Sequence, residues 1–209
     1  MIRALRPGFL AAILVQMLCA CSLLGQRKNV ELYDLAPRAS PPSAHTPAGN
    51  WQIEVVEPQS LSPLLGTGIL VSPSEQRLAI YRGARWTDAP TLLLQSLLVH
   101  ALRAGGMPGA AGSSSAQRAD YLLESDLRAF QAEYRDRNRP TVVIVLDARL
   151  IRVADGRSLA SRTVSVEEIA STPALPQVIL AFGEGADRLG REVAQWTVET
   201  LSNARSPAP

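Results

Sequence analysis

The two cysteines are the residues of this 209-residue sequence best suited to covalent chemistry. Cys19 and Cys21 are separated by one residue and stand at the end of the only long apolar stretch. A cysteine thiolate is a strong nucleophile and a metal ligand. Because no cysteine follows Cys21, this chemistry belongs to the N-terminal segment, and the body of the chain has no disulfide to form.

Histidine is too scarce to build a familiar catalytic or metal site. The two histidines are His45, in a proline-rich segment, and His100, in a leucine-rich one. A Ser-His-Asp arrangement needs a correctly placed histidine, and zinc needs several ligands at suitable spacing. Gly66-Thr67-Gly68 lacks the following Lys-Ser/Thr of a phosphate-binding loop. The sequence therefore predicts no enzyme activity, no metal and no cofactor, and His100 is interpreted as a helix-surface or partly buried residue.

Charged side chains on predicted strands offer two further interpretations. Glu124, Asp126 and Asp147 are carboxylates that acid–base catalysis would need as a pair. Alternation places the first two on a solvent face beside Arg128, which favours an ion-paired sheet surface. A loop between two of the strands holds a basic cluster that is either a solvated loop tip, the favoured interpretation, or a contact for lipid headgroups: Arg135, Arg137 and Arg139.

The first twenty residues have the layout of a secretory signal peptide. Arg3 and Arg6 precede an apolar stretch over residues 9–20 that only Gln16 interrupts. This stretch is too short to span a bilayer as a helix. The two arginines also supply the whole net charge of +2, so the remaining chain has equal numbers of basic and acidic side chains. A nucleic-acid partner is therefore not expected.

The apolar stretch ends in Leu18-Cys19-Ala20-Cys21, which resembles a bacterial lipobox. Leu18 is the aliphatic residue, Cys19 and Ala20 are the small residues before cleavage, and Cys21 is the residue whose sulfur takes a diacylglycerol. Acyl chains hold a protein on a bilayer with about 0.8 kcal/mol for each buried CH₂. Because Ser22 and not aspartate follows, sorting to the outer membrane is expected. The alternative is a buried N-terminal helix with two incidental thiols.

A proline-rich segment over residues 36–50 separates the N-terminus from the main domain. It contains four prolines together with serine, threonine and glycine, a composition that sustains neither a helix nor an inner strand. The sequence therefore predicts three parts. They are a signal peptide (1–20), a lipidated N-terminus with a short strand and the proline-rich segment (21–50), and a single domain (51–205).

Alternation of apolar and polar residues predicts the strands. They cover residues 30–35, 51–57, 77–82, 123–131, 142–150 and 159–166, and the last three form an antiparallel meander. On the first strand of the meander, the predicted buried positions are Leu123, Ser125, Leu127 and Ala129. Asp155-Gly156 predicts a two-residue hairpin turn. The small, Gly- and Ser-rich residues 107–117 predict a loop.

Helical periodicity predicts two long helices. The first has Asp88 as its cap and Pro90 in its first turn, and Gly105-Gly106 ends it. The second covers residues 173–203, where Gly183 and Gly185 are expected to fray the first turns or to allow close packing. Trp86 and Trp196 are interpreted as core anchors. The fold class is α/β of the α+β kind, with both helices packed on one face of a single sheet.

Several segments resemble one known family when they are taken in order. The features that match are Cys21 in its lipobox, Tyr33-Asp34-Leu35-Ala36-Pro37, Arg82-Gly83-Ala84-Arg85-Trp86 before the leucine helix, the strand over residues 123–131, and the closing helix. They are similar to the ABC-type transport auxiliary lipoproteins, the PqiC-like family associated with MCE-domain lipid transporters. The segment Leu61-Ser62-Pro63-Leu64-Leu65 departs from the Leu-Pro-x-Tyr-Leu stretch that is common in that family.

The resemblance implies a non-enzymatic lipoprotein anchored in the outer membrane and facing the periplasm. Its partners would be an MCE-domain protein and the permease and ATPase of an ABC transporter, which together move lipids or other hydrophobic molecules. The cargo, the direction of transport and self-association into a homo-oligomer stay open. Two other hypotheses are a scaffold or activator of cell-wall synthesis and, more remotely, an envelope hydrolase.

Overall fold

The structure is a computed structural model that describes residues 29–35, 49–113, 118–135 and 139–205. The chain divides into two units, Met1–Val30 and Glu31–Pro209, and the second unit contains every helix and strand described below. The predicted signal peptide lies outside the described residues, as do residues 36–48 of the proline-rich segment with His45.

One nine-stranded mixed sheet and two helices make up the described fold. The strands are β1 (Glu31–Tyr33), β2 (Ile53–Val55), β3 (Gln59–Ser60), β4 (Gly68–Ser74), β5 (Arg77–Trp86), β6 (Ala110–Gly112), β7 (Tyr121–Glu133), β8 (Thr141–Arg152) and β9 (Arg157–Ile169). The helices are α1 (Pro90–Ala104) and α2 (Leu175–Arg205). This is the predicted α+β class, with the short strand predicted ahead of the proline-rich segment present as β1.

Strand β7 is the centre of the sheet. One of its edges pairs with β8 over the whole strand, and β8 pairs with β9, which confirms the predicted antiparallel meander. Its other edge pairs in turn with β2, β3 and β4, all parallel to it. Beyond these, β2 pairs with β6, and β4 continues into an antiparallel hairpin with β5, whose outer edge takes β1. The sheet therefore curls as it extends from β9 to β1.

The predicted alternation of β7 fails at a β-bulge. The pairing of β7 with β8 shifts between Leu127 and Ala129, which makes Arg128 the extra residue. Ahead of the bulge, the predicted buried positions are buried. Beyond it, Phe130 and Ala132 are buried in place of Ala129, because one inserted residue exchanges the two faces of a strand.

Three strands, β3, β4 and β6, were not predicted from the sequence pattern. Residues 107–113 belong to the predicted loop, but Met107 is fully buried and β6 pairs in parallel with β2. Strand β4 begins at Gly68 and contains Pro73, two residues that disfavour strands. Long-range pairing with β7 and β5 holds β4 in place despite this local sequence.

The connection between β8 and β9 is longer than predicted. Arg152 pairs with Arg157, so four residues form the turn, not the two of the Asp155-Gly156 prediction. A two-residue type I′ turn needs positive φ at both positions. Only Gly156, with φ of 65°, has it.

The predicted helix boundaries are largely confirmed. Helix α1 has Pro90 in its first turn and Gly105 as its C-cap. The N-cap is Ala89, and the Asp88 carboxylate accepts a hydrogen bond only from the Ala89 amide at 2.8 Å, so the prediction that Asp88 caps the helix was wrong. Helix α2 is continuous through Gly183 and Gly185. His100 is exposed on α1, in agreement with its interpretation.

The core lies between one face of the sheet and the helices. The apolar residues that recur along one side of α2 are all buried: Val178, Phe182, Ala186, Leu189, Val193, Trp196 and Leu201. The rings of Trp86, Phe130 and Phe182 pack at centroid distances of 4.9–5.6 Å, which confirms Trp86 as a core anchor. This aromatic cluster joins β5, β7 and α2.

The two helices cross at a glycine that has no room for a side chain. A Cβ atom on Gly190 would lie 2.8 Å from Leu97 Cδ2 and 3.1 Å from Ala101 Cβ, whereas at Gly183 it would meet nothing within 4 Å. We expect Gly183→Ala to stabilise the protein by up to about 1 kcal/mol through helix propensity. Gly190→Ala should lose that gain, and Gly190→Leu should destabilise by about 1–3 kcal/mol through overpacking. Chemical denaturation of the three variants tests this, and equal stabilisation at both glycines would contradict it.

Candidate functional site

The predicted lipid-attachment site lies outside the described residues. Leu18, Cys19, Ala20 and Cys21 all precede Asn29, where the description begins. None of the described helices is long and apolar enough to cross a membrane. The described residues show the domain that follows the predicted site. That domain begins at β1.

The face of the sheet turned away from α2 is mostly polar and is called the open face below. Ile144 and Val166 contact α2 at Gly185, so the alternate residues of β8 and β9 lie on the other side. Polar and charged side chains from β7, β8 and β9 stand there in cross-strand rows. The open face is thus the surface on which the sequence predicted paired carboxylates.

Of the three carboxylates considered in the sequence, Asp147 forms the ion pair with Arg128, whereas Glu124 and Asp126 were the ones predicted to lie beside it. Asp126 stands directly opposite Asp147, a like-charge pair that destabilises a sheet if nothing offsets it. Arg128 Nη1 donates to Asp147 Oδ2 at 3.0 Å, and Thr163 Oγ1 donates to Asp147 Oδ1 at 2.6 Å. Glu124 lies opposite Arg149. Arg128, which forms this ion pair, is the residue that the β-bulge inserts.

A shallow groove of about 580 Å³ runs over this part of the open face. It is lined by Val56, Glu57, Gln59, Glu124, Ser125, Asp126, Asp147, Ala148, Arg149, Ser161, Arg162 and Thr163. Over the described parts of the chain, no three His, Cys, Asp or Glu residues are grouped so as to hold a metal ion. The groove presents charged groups of both signs, and its Thr163 hydroxyl is hydrogen-bonded to the Asp147 carboxylate.

The basic loop is tied to the sheet at its first arginine. Arg135 donates to both oxygens of Glu167 at 2.8 and 3.0 Å, and its Nε donates to Glu133 at 2.9 Å. Because Glu167 is on β9 and Glu133 ends β7, this arginine clamps the two outer strands of the meander. Arg139 is exposed, and Arg137 lies outside the described residues. Arg135 is thus engaged with carboxylates and not available to lipid headgroups.

The Arg135 clamp predicts a small pH-dependent contribution to stability. The hydrogen bonds from Arg135 lower the pKa of the Glu167 carboxyl below its ordinary value. A carboxyl with a lowered folded-state pKa stabilises the protein above its unfolded-state pKa, and this is lost as the pH falls through the folded-state value. Thermal unfolding should therefore show Glu167→Gln less stable than the parent near neutral pH, with the gap closing below about pH 4 and in high salt.

The matched control for this prediction is Glu124→Gln. Glu124 also lies on the open face, but it has no ion pair among the described residues. Its substitution should leave the free energy of unfolding near neutral pH close to that of the parent. A Glu167→Gln variant that matches the parent at every pH would show that the clamp contributes nothing.

The sequence did not predict an apolar patch at the opposite end of the sheet. Leu32 on β1 and Leu78 and Ile80 on β5 are exposed, although neighbouring residues of both strands contact the core. The alternation along β5 predicts that Leu78 and Ile80 lie on one face of that strand. Only the pairing of β1 with β5 shows that Leu32 lies on the same face. The segment that departs from the family pattern also exposes leucines, since Leu61 and Leu65 flank the buried Leu64.

The architecture defines the class of protein. It is an α+β domain in which one curled mixed sheet carries two long helices on one face. The same fold is present in XCC0632 from Xanthomonas campestris, a protein of family DUF330, at 28% sequence identity and a TM-score of 0.76, over 84% of this chain and 99% of that one.

The chain belongs to the family of ABC-type transport auxiliary lipoprotein components, whose family model matches residues 33–194. This confirms the resemblance found in the sequence. Two further solved structures share the fold. One is an uncharacterized protein with 18% identity and a TM-score of 0.66, over 81% of this chain and 99% of that chain. The other is CT253 from Chlamydia trachomatis, with 7% identity and a TM-score of 0.50, over 74% and 99%. No curated protein matches the chain.

Proposed function

We propose that this protein is a lipoprotein anchored through Cys21 in the outer membrane, with its folded domain on the periplasmic face. It acts as a non-enzymatic auxiliary component that binds an MCE-domain protein and works with an ABC permease and ATPase. The system moves lipids or other hydrophobic molecules across the envelope. The observation that carries the proposal is the family match over residues 33–194, which spans nearly the whole described domain and not one short motif.

The geometry of the domain supports an auxiliary role. The helices and the inner face of the sheet are occupied by the core, and Asp147 on the open face is held by Arg128 and Thr163. The acidic side chain best placed for chemistry is therefore engaged in holding strands together. The surfaces that remain for function are the polar open face and the sheet edges at β5 and β9, which suit docking.

Co-purification from the native envelope tests the proposal. The full chain with a C-terminal tag would be isolated in mild detergent, and an unrelated outer-membrane lipoprotein with the same tag would serve as the control. We expect enrichment of an MCE-domain protein and of ABC transporter subunits over the control by quantitative mass spectrometry. Repeated recovery of none of them would overturn the proposal, and recovery of a cell-wall synthase would favour the scaffold hypothesis.

A further inference from the structure

The sheet edge formed by β1 and β5 exposes large apolar side chains on a single face. The exposed fractions are 66% for Leu32, 55% for Ile80 and 49% for Leu78. We call these three residues, together with Arg85, the edge patch. Scattered exposed apolar residues are ordinary, but a group on one face of two paired strands calls for a partner.

The strand register shows that the edge patch is continuous. Leu32 pairs with Arg85, and Arg85 pairs with Gly68 on the other side, so these three residues share a face. The Ile80 side chain lies over Gly68, where an added Cβ would be 2.8 Å from Ile80 Cδ1. Ile80 is therefore on that same face, and Leu78, two residues before it on β5, follows by alternation.

Exposed arginines stand along β5 beside the edge patch. The acidic side chains near this strand lie at its ends: Glu75 at the hairpin turn, Glu31 on the partner strand β1, and Asp34 and Asp88 beside its last residues. In the sequence, positions 22–30 include Arg27 and Lys28 and no acidic residue. Strand β5 itself has no acidic residue and carries three exposed positive charges: Arg77, Arg82 and Arg85.

The patch begins a short distance along the chain from the expected lipid. Only residues 22–30 separate Cys21 from the start of β1. Even fully extended, those ten Cα-to-Cα steps reach at most about 36 Å, which is roughly the thickness of one bilayer. The start of β1 therefore lies within about 36 Å of the expected lipid.

We propose that the edge patch is a membrane-contact surface that lies on the phospholipid headgroups of the bilayer holding the lipidated Cys21. The inference rests on the proposed function, because it requires that anchor. The leucine and isoleucine side chains enter the boundary between headgroups and acyl chains, and the arginines contact anionic phosphate. The contact orients the domain, since β9, at the other end of the strand order, is then held away from the bilayer and left for a periplasmic partner.

Site-specific labelling of the lipidated, full-length mature protein tests this surface. Cys21 is consumed by its thioether, so Leu32→Cys and Ile80→Cys each give a unique thiol for a fluorophore such as NBD. The control is Val153→Cys, on the turn between β8 and β9, where the side chain is 40% exposed. The proteins are reconstituted into vesicles of phosphatidylethanolamine and phosphatidylglycerol with or without nitroxide-labelled lipid. We expect the nitroxide to remove about half or more of the fluorescence at positions 32 and 80 and little at 153.

The mass of the N-terminal peptide measures lipidation independently of the fluorescence. Failure of the membrane contact is therefore distinguishable from failure of the lipid anchor. A lipidated protein with both patch positions unquenched overturns the membrane contact and leaves the anchor in place. An unlipidated protein with unquenched probes overturns both. Probes that are shielded from aqueous iodide but not quenched by the lipid nitroxide would show that protein covers the patch, which also overturns the proposal. Circular dichroism confirms that the variants are folded.

Discussion

Replacement of Cys21 by alanine is expected to abolish incorporation of fatty acid into this protein and to leave an unprocessed precursor or a released soluble form. The physical reason is that cysteine alone supplies a sulfur that accepts the diacylglycerol. None of the described helices is long and apolar enough to cross a membrane. Metabolic labelling with a fatty acid, followed by fractionation of the envelope, measures both effects. A Cys21→Ala variant that still takes up the label would show that the lipobox assignment is wrong.

Cys19→Ala is the matched control for this experiment. It removes the other cysteine of the chain, two positions away, and places a small residue where the lipobox accepts one. Labelling and membrane association should match those of the parent. If Cys19→Ala lost the label and Cys21→Ala kept it, the assignment of the lipid to Cys21 would be wrong.

The largest expected loss of stability is at Phe182. This side chain is fully buried on α2, with its ring centroid 5.2 Å from that of Trp86 and 4.9 Å from that of Phe130. Phe182→Ala leaves a cavity and removes two ring contacts, so we expect the free energy of unfolding to fall by about 3–5 kcal/mol. That is a large part of the stability of an ordinary domain, about 5–15 kcal/mol. Denaturant titration measures it as a lower midpoint with an unchanged slope.

Leu180→Ala, on the same helix, is the control for Phe182. Leu180 is 48% exposed, so its truncation removes little buried surface and should change the free energy of unfolding by about 0.5 kcal/mol or less. If the two variants unfold at the same denaturant concentration, the aromatic cluster is not the centre of the core. A change of slope in Phe182→Ala alone would instead indicate an altered unfolded or native state.

The helices and the meander were predictable because their patterns are local and strong. The buried apolar positions of α2 from Val178 to Leu201 recur every three to five residues over about seven turns. An error of one residue in a helix boundary does not change which face of so long a helix is apolar. The same holds for β8, where Val142, Ile144, Leu146, Ala148 and Leu150 alternate without interruption and are all buried. In these elements the local periodicity and the burial in the fold agree.

The short strands were not predictable because their stability comes from partners far along the chain. Strand β6 has three small residues and no alternation, and only its pairing with β2 makes it a strand. Strand β4 contains Pro73 and is held by β5 and β7. The bulge at Arg128 is also a property of the strand pair, since residues 123–129 alternate in the sequence without a break at that position. Long-range hydrogen bonds outweigh local propensity at each of these positions.

The two candidate sites differ in the same respect: one depends on local sequence and the other on long-range strand pairing. The residues of the lipobox are contiguous, so their order and the apolar stretch before them were enough to predict Cys21 without any fold. The edge patch unites Leu32 with Arg85, more than fifty residues apart, and it exists only because β1 adds to the outer edge of β5.

The sequence by itself determined the fold class and the family, and it predicted the export signal and the anchoring cysteine, because all of these depend on local order and periodicity. The tertiary structure alone decided which charges are paired and which apolar side chains are left exposed. The physical reason is that a side chain's face is set by strand register, and one inserted residue or one added strand exchanges the buried face for the exposed one.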